Sequence, residues 1–215
     1  MAVIRRMNYI SIFIMSFTIA LLGALAPGPL LTAVIARTPT YGFKTGPLLM
    51  IGHAIAEILM VLIILSGFSR FIHNSLSICI IAFVGGVVMI LFGLGMLKNV
   101  PSVGQERKSP GDVVSNLPFL GITLSLTNPY WTVWWLTIGL SLVLTAQKAG
   151  AVAICIFFMG HILADVIWYS IVSFTVSKGK KFITDKVYNG IMKTCGLILI
   201  GFGIYFLSGF FKLRV

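Results

Sequence analysis

A chain of 215 residues that is 58% hydrophobic and only 10% charged lies far from ordinary soluble domains, where about 25% of residues are charged. With a mean hydropathy of +1.04, this excludes a water-facing globular domain and points to an all-α polytopic membrane protein. The net charge of +11 does not make it a nucleic-acid binder, because its Lys and Arg residues lie between and beside apolar runs, not on one amphipathic face. They read as loop charges that set topology and meet anionic lipid headgroups.

Six apolar spans are predicted, at about 8–36, 45–68, 75–97, 117–146, 149–176 and 188–211. Each reaches the roughly 20 residues needed to cross about 30 Å of hydrocarbon. The first begins after Arg5-Arg6 and runs to Ala24-Leu25-Ala26, which imitates a secretory signal with a small-residue cleavage site. Pro27 in the first mature position suits processing poorly, so the segment is read as a span. Its apolar run is broken by APGP (26–29). The second span carries GHAIAE (52–57), and the third carries GVVMILFG (86–93).

A polar linker, 98–116, follows; it holds Pro101, Pro110, Gly111 and five charged residues. The fourth span is broken by TNP (127–129) and continues into YWTVWW (130–135). The fifth carries GHILAD (160–165), and the sixth carries GLILIGFG (196–203). Breaks, His–acid pairs and paired glycines thus recur in the same order in residues 1–97 and 117–215, which reads as an internal repeat within one membrane domain. Three crossings per copy force the second copy to enter from the opposite side. An inverted 3+3 repeat with broken helices 1 and 4 is expected, the construction of many secondary transporters with a site near the midplane.

Ten Lys and Arg residues fall on the side of the 1–2, 3–4 and 5–6 loops and six on the other. The positive-inside rule therefore places both termini outside the cytoplasmic membrane. Cys79, Cys155 and Cys195 are odd in number and form no C-x-x-C, so neither a disulfide framework nor a zinc knuckle is supported.

The chemistry concentrates at the breaks and the pairs. Proline lacks an N–H and clashes with the preceding turn, so Pro27, Pro29 and Pro129 free backbone groups that protein or a wet cavity must satisfy. In a transporter these half-helix ends become ligands for a solute carboxylate or ammonium. Gly28 lies within the first break, and Asn128 adds a donor and an acceptor beside the second. Trp131 and Trp135 share a helical face near mid-span, unlike interfacial tryptophans; they are candidates for a pocket wall as well as for plain packing.

His53 with Glu57, and His161 with Asp165, are four apart and share a face. An acid at that depth costs about 2.5–3.5 kcal/mol and usually faces an interior cavity. Such pairs can carry coupling protons, bind an ammonium, ligate a metal, or hold two helices together. The expected substrate contacts are Pro27, Gly28, Pro29, Asn128, Pro129 and Trp131, and the expected coupling groups are Glu57, Asp165, His53 and His161. No Walker loop or hydrolytic triad is found, so neither an enzyme nor an ATP drive is expected, and no cofactor.

PGP closing the first apolar run (Pro27, Gly28, Pro29), a Gly-rich second span with an acid at Glu57, and NP in the fourth span (Asn128, Pro129) together resemble the LysE family of amino-acid exporters. The similarity covers nearly the whole chain in length, span count and motif order. It implies a small inner-membrane exporter that expels amino acids or related solutes in exchange for protons, with roles at those residues and at Asp165. The chain departs from the family pattern at Leu30 after PGP, at Tyr130 after NP, and in having Glu57 where Asp is usual. The wider superfamily includes metal-ion exporters, which keeps His53, Glu57, His161 and Asp165 as an alternative metal set. A third reading is a non-transporting scaffold packed through the glycine faces of spans 3 and 6. Apart from the solute and the lipid, self-association is left open.

Overall fold

The computed structural model describes residues 8–26, 28–67, 75–98, 116–179 and 184–213. Pro27, most of the 98–116 linker and the basic Arg5 and Arg6 lie outside the described residues. Among those described, helices account for nearly all of the chain and no strand occurs.

Helix α1 (Tyr9–Ala24) starts at Asn8, whose side-chain oxygen accepts from the Ser11 N–H at 2.7 Å. The chain breaks after Ala24, and α2 (Pro29–Tyr41) begins with proline in the first helical position, where a missing N–H costs nothing. The two helices meet at 71°. Gly42, at φ 71°, ends α2 in a conformation that favours glycine. Helices α3 (Thr45–Leu65) and α4 (Ser75–Lys98) follow.

The second half opens with α5 (Leu117–Leu126), which stops at Thr127-Asn128. Helix α6 (Pro129–Trp134) then runs through a π-helical turn (Trp135–Gly139) into α7 (Leu140–Lys148). Gly150, at φ 102°, precedes α8 (Ala151–Gly179), and α9 (Asp185–Leu213) closes the described chain.

Apolar and polar residues are distributed as in a molecule solvated by lipid. Ile10, Leu22, Leu62, Leu91, Phe119, Met159 and Leu197 are exposed, while Ser16, Thr38, Thr45, Ser125 and Ser173 are fully buried. Water would reward the opposite arrangement; a bilayer rewards this one, because polar groups must be satisfied within the protein. Three segments, Thr45–Leu65, Ala151–Gly179 and Asn189–Ser208, are long and apolar enough to cross a membrane, and the bent α1–α2 pair makes a fourth if counted as one span. Phe83–Lys98 and Leu117–Leu126 are shorter apolar helices.

Close helix crossings at glycines hold the bundle together. A Cβ on Gly86 would lie 2.9 Å from the Gly203 carbonyl and one on Gly203 would lie 2.7 Å from that of Gly86; Gly93 and Gly196 oppose each other likewise, at 2.5 and 2.9 Å. Helices α4 and α9 therefore touch backbone to backbone. Gly52 and Gly121 do the same between α3 and α5, facing the carbonyls of Pro118 and Leu49. Between α1 and α8, a Cβ on Gly160 would come 2.7 Å from the Phe13 carbonyl, and the Ser16 hydroxyl donates to the Phe157 carbonyl at 2.6 Å. Such contacts let small residues bring backbones together where lipid supplies no hydrophobic drive.

Candidate functional site

Helices α3 and α8 lie side by side, a Cβ on Gly46 of α3 colliding with the Tyr169 carbonyl of α8, and their polar residues face one another. His53 and Glu57 on α3 and His161 and Asp165 on α8 are all buried, and they form one cluster, not two separate pairs. His53 Nε2 and His161 Nε2 each lie 3.1 Å from Glu57 Oε1, while Asp165 Oδ2 lies 3.6 Å from His161 Nε2 and 3.9 Å from His53 Nε2. The expected pairing within each helix is present, and across the helices the Glu57–His161 contact is as short as any.

Other groups hold the cluster in place. Trp135 donates its indole N–H to Glu57 Oε1 at 3.3 Å. Its ring has room because a Cβ on Gly139 would sit only 2.6 Å from it, within the widened π turn. Ser125 Oγ lies 2.7 Å from His53 Nδ1 and donates to the Gly121 carbonyl at 2.7 Å. The His161 ring packs against Trp134, Trp135 and Phe157, with centroids 5.1, 5.0 and 5.9 Å away. Such a box of aromatic faces suits a ring that becomes cationic.

A cavity of about 60 Å³ opens onto this cluster and is also lined by both helix breaks. It has room for a few waters. Ala26, Gly28 and Leu30 reach it from the first break and Asn128 from the second. The two breaks are finished differently. Asn128 caps α6, its side-chain oxygen accepting from the Tyr130 N–H at 3.1 Å. Gly28 has no side chain to cap α2, so that helix start faces the cavity without a cap.

The expected solute contacts therefore divide. Gly28, Asn128 and Trp131 line the cavity. Pro29 is buried but does not line it, and Pro129 packs against α4, where a Cβ on Gly85 would come 2.6 Å from its ring. Pro27 lies outside the described residues. The Trp131 indole N–H is buried without a hydrogen-bond partner, as are Glu57 Oε2, Asp165 Oδ2 and His161 Nδ1. Sequence reasoning singled out neither Ser125 nor Trp134, and gave Trp135 no hydrogen-bonding role. The i, i+4 spacing of Trp131 and Trp135 was the only signal for the last.

Two imidazoles and two carboxylates in contact can share protons or receive a cation. The ligand atoms of His53, Glu57 and Asp165 also lie within 4.8 Å of one another, close enough to meet on a metal ion.

The model of the LysE type translocator family matches residues 21–209, nearly the full length. The chain belongs to the LysE type translocator family. The matched region of this translocator contains both breaks, all four residues of the cluster and the aromatic segment. A curated protein of Bacillus subtilis (strain 168), named "Putative amino acid efflux protein YcgF", is 28% identical over 195 residues, covering 89% of this chain and 93% of its own. No solved structure matches significantly. The translocator is thus a member of a multi-pass transporter family and not of an enzyme family.

Proposed function

We propose that this translocator is a secondary-active exporter of amino acids or related small solutes across the cytoplasmic membrane, driven by proton exchange. The observation that carries this reading is the single buried cluster of His53, Glu57, His161 and Asp165, which opens onto a cavity edged by two broken helices. An amino acid presents a carboxylate and an ammonium. The uncapped start of α2 and the free N–H of Trp131 suit the first, and Glu57 and Asp165 suit the second. Asn128 contributes its amide N–H₂ only, since its oxygen caps α6.

The reading includes two inverted halves, each of three spans, with both termini outside. The helix crossings support it. Exchanging 13, 16, 49 and 52 for 118, 121, 157 and 160, respectively, turns the α1–α8 contacts into the α3–α5 contacts, and the two glycine pairs of α4 and α9 exchange with each other. The cluster supports proton coupling, because two imidazoles and two carboxylates in contact can take up and release a proton.

Exchange of labelled amino acids by purified protein in proteoliposomes tests this. Glu57→Gln or Asp165→Asn is expected to abolish exchange and leave the protein folded, and undiminished exchange in both variants would remove the coupling claim. The metal-export reading predicts instead stabilisation by a divalent ion that His53→Ala and His161→Ala remove. It is disfavoured by the scarcity of carboxylates for a hard cation.

A further inference from the structure

The two halves of the cluster are chemically unequal, and a single hydroxyl makes them so. The Ser125 oxygen lies 2.7 Å from the Gly121 carbonyl oxygen. Two oxygens that close need a hydrogen between them, and a carbonyl has none to give, so the only hydroxyl proton of Ser125 is spent there. Ser125 can then only accept from His53 Nδ1, 2.7 Å away. His53 therefore carries a proton on Nδ1.

His53 Nε2 faces Glu57 Oε1 at 3.1 Å. Two lone pairs do not approach that closely in a buried site, so one more proton belongs to this contact, whichever atom holds it. Both nitrogens of His53 are then partnered and the His53–Glu57 pair is electrically neutral, although Glu57 Oε2 has no hydrogen-bond partner. His161 stands differently. Its Nδ1 has no partner, and a protonated nitrogen there would bury an unmet donor. Its one proton belongs on Nε2, which contacts Glu57 Oε1 at 3.1 Å. That leaves an open lone pair on His161 Nδ1, while Asp165 Oδ2, 3.6 Å from His161 Nε2, has no hydrogen-bond partner.

The cause of the difference is visible in the helix contacts. Ser125 stands four residues after Gly121, which meets the carbonyl of Leu49, itself four before His53. Ala20 stands four residues after Ser16, which meets the carbonyl of Phe157, itself four before His161. Ala20 thus occupies, towards His161, the place Ser125 occupies towards His53, and it offers no hydroxyl. Ala20 lines the cavity.

We propose that Ser125 is a positioning residue that fixes the proton of His53 on Nδ1, committing both nitrogens of His53 and leaving His161 and Asp165 as the pair that takes up and releases the coupling proton. Only the last clause rests on the exporter reading. The proton enters from the cavity at Asp165 Oδ2, 3.6 Å from His161 Nε2, and leaves by the same atom, while the rings of Trp134, Trp135 and Phe157 hold His161 in place. The titratable groups that line the cavity are His53 and Glu57 on α3, Tyr130 on α6, and His161, Asp165 and Tyr169 on α8; among the described residues no Lys or Arg lines it.

Nitrogen NMR of the full chain, labelled with ¹⁵N-histidine in lipid nanodiscs, tests the assignment. Three histidines are present, His53, His73 and His161, and single His→Gln variants assign their signals. The expected result is a protonated Nδ1 on His53 and an unprotonated Nδ1 on His161. Ser125→Ala is expected to abolish the Nδ1 preference of His53 and to displace the pH profile of exchange, and Ser125→Thr, which keeps the hydroxyl, to restore both. Ala20→Ser is expected to give His161 a protonated Nδ1, which keeps the question answerable if Ser125→Ala fails to fold. An unprotonated Nδ1 on His53 in the wild type, or signals that neither Ser125→Ala nor Ala20→Ser alters, would overturn the proposal. The expected tautomers in a protein that exchanges no solute would support the role of Ser125 towards His53 and sink the exporter reading with its coupling step.

Discussion

Glu57 is held by three neighbours that come from three different stretches of chain. His53 lies one turn away on its own helix, Trp135 comes from the π turn, and His161 from α8. Trp135→Phe keeps the aromatic packing and removes the indole N–H. A hydrogen bond to a charged group is worth about 1.5–3 kcal/mol, so a loss of stability of that order is expected, read by thermal unfolding in nanodiscs, with slower exchange. Trp131→Phe removes an N–H that has no partner in the protein. A rise in KM for the solute with kcat and stability little changed is expected, since only solute binding loses a bond. The i, i+4 spacing made each His–acid pair legible. The contacts of Glu57 with His161 and Trp135 were not, because they join residues 104 and 78 positions apart in the chain.

At the scale of the elements, proline and glycine act through the space they leave. The breaks after Ala24 and at Thr127-Asn128 are where proline predicts them, yet their two prolines differ from expectation in what they face. Pro129 turns towards Gly85 on α4, and the cavity is reached instead by Asn128 and Gly28. Sequence tells where a helix must stop; the direction each ring faces depends on the rotation of the helix about its axis, which neighbouring helices set. The glycines repay the same argument. A Cβ on Gly52 meets the Pro118 backbone and one on Gly93 meets the Gly196 backbone, whereas one on Gly201 meets nothing within 4 Å. Overpacking a core costs about 1–3 kcal/mol, and backbone gives way less readily than a side chain. Gly52→Leu and Gly93→Leu are therefore expected to destabilise by at least that much, with Gly201→Leu near neutral, as judged by unfolding and size-exclusion profiles.

For the whole molecule, the proposed inversion of the two halves makes a prediction about sidedness. In a cysteine-free background, Ser66→Cys and Lys148→Cys are expected to react with an impermeant thiol reagent from one side of the membrane, and Phe43→Cys from the other. Labelling of all three from the same side would remove the inverted arrangement. Helix α3 runs Thr45–Leu65 against an expected span of about 45–68, α8 runs Ala151–Gly179 against about 149–176, and α2 runs on to Tyr41, past the expected end of the first span at about 36.

The sequence by itself determined that this chain is a bundle of apolar helices with breaks at PGP and NP, and that two His–acid pairs lie within it, since length, hydropathy, proline chemistry and helical spacing are local properties. Tertiary structure alone decided that the two pairs become one cluster and that Trp135 and Ser125 attend it. It also decided that one helix start is capped and the other is not. Those outcomes depend on how glycines let α3 meet both α5 and α8, and α1 meet α8, and close approach between distant segments leaves no periodicity in the chain to be read.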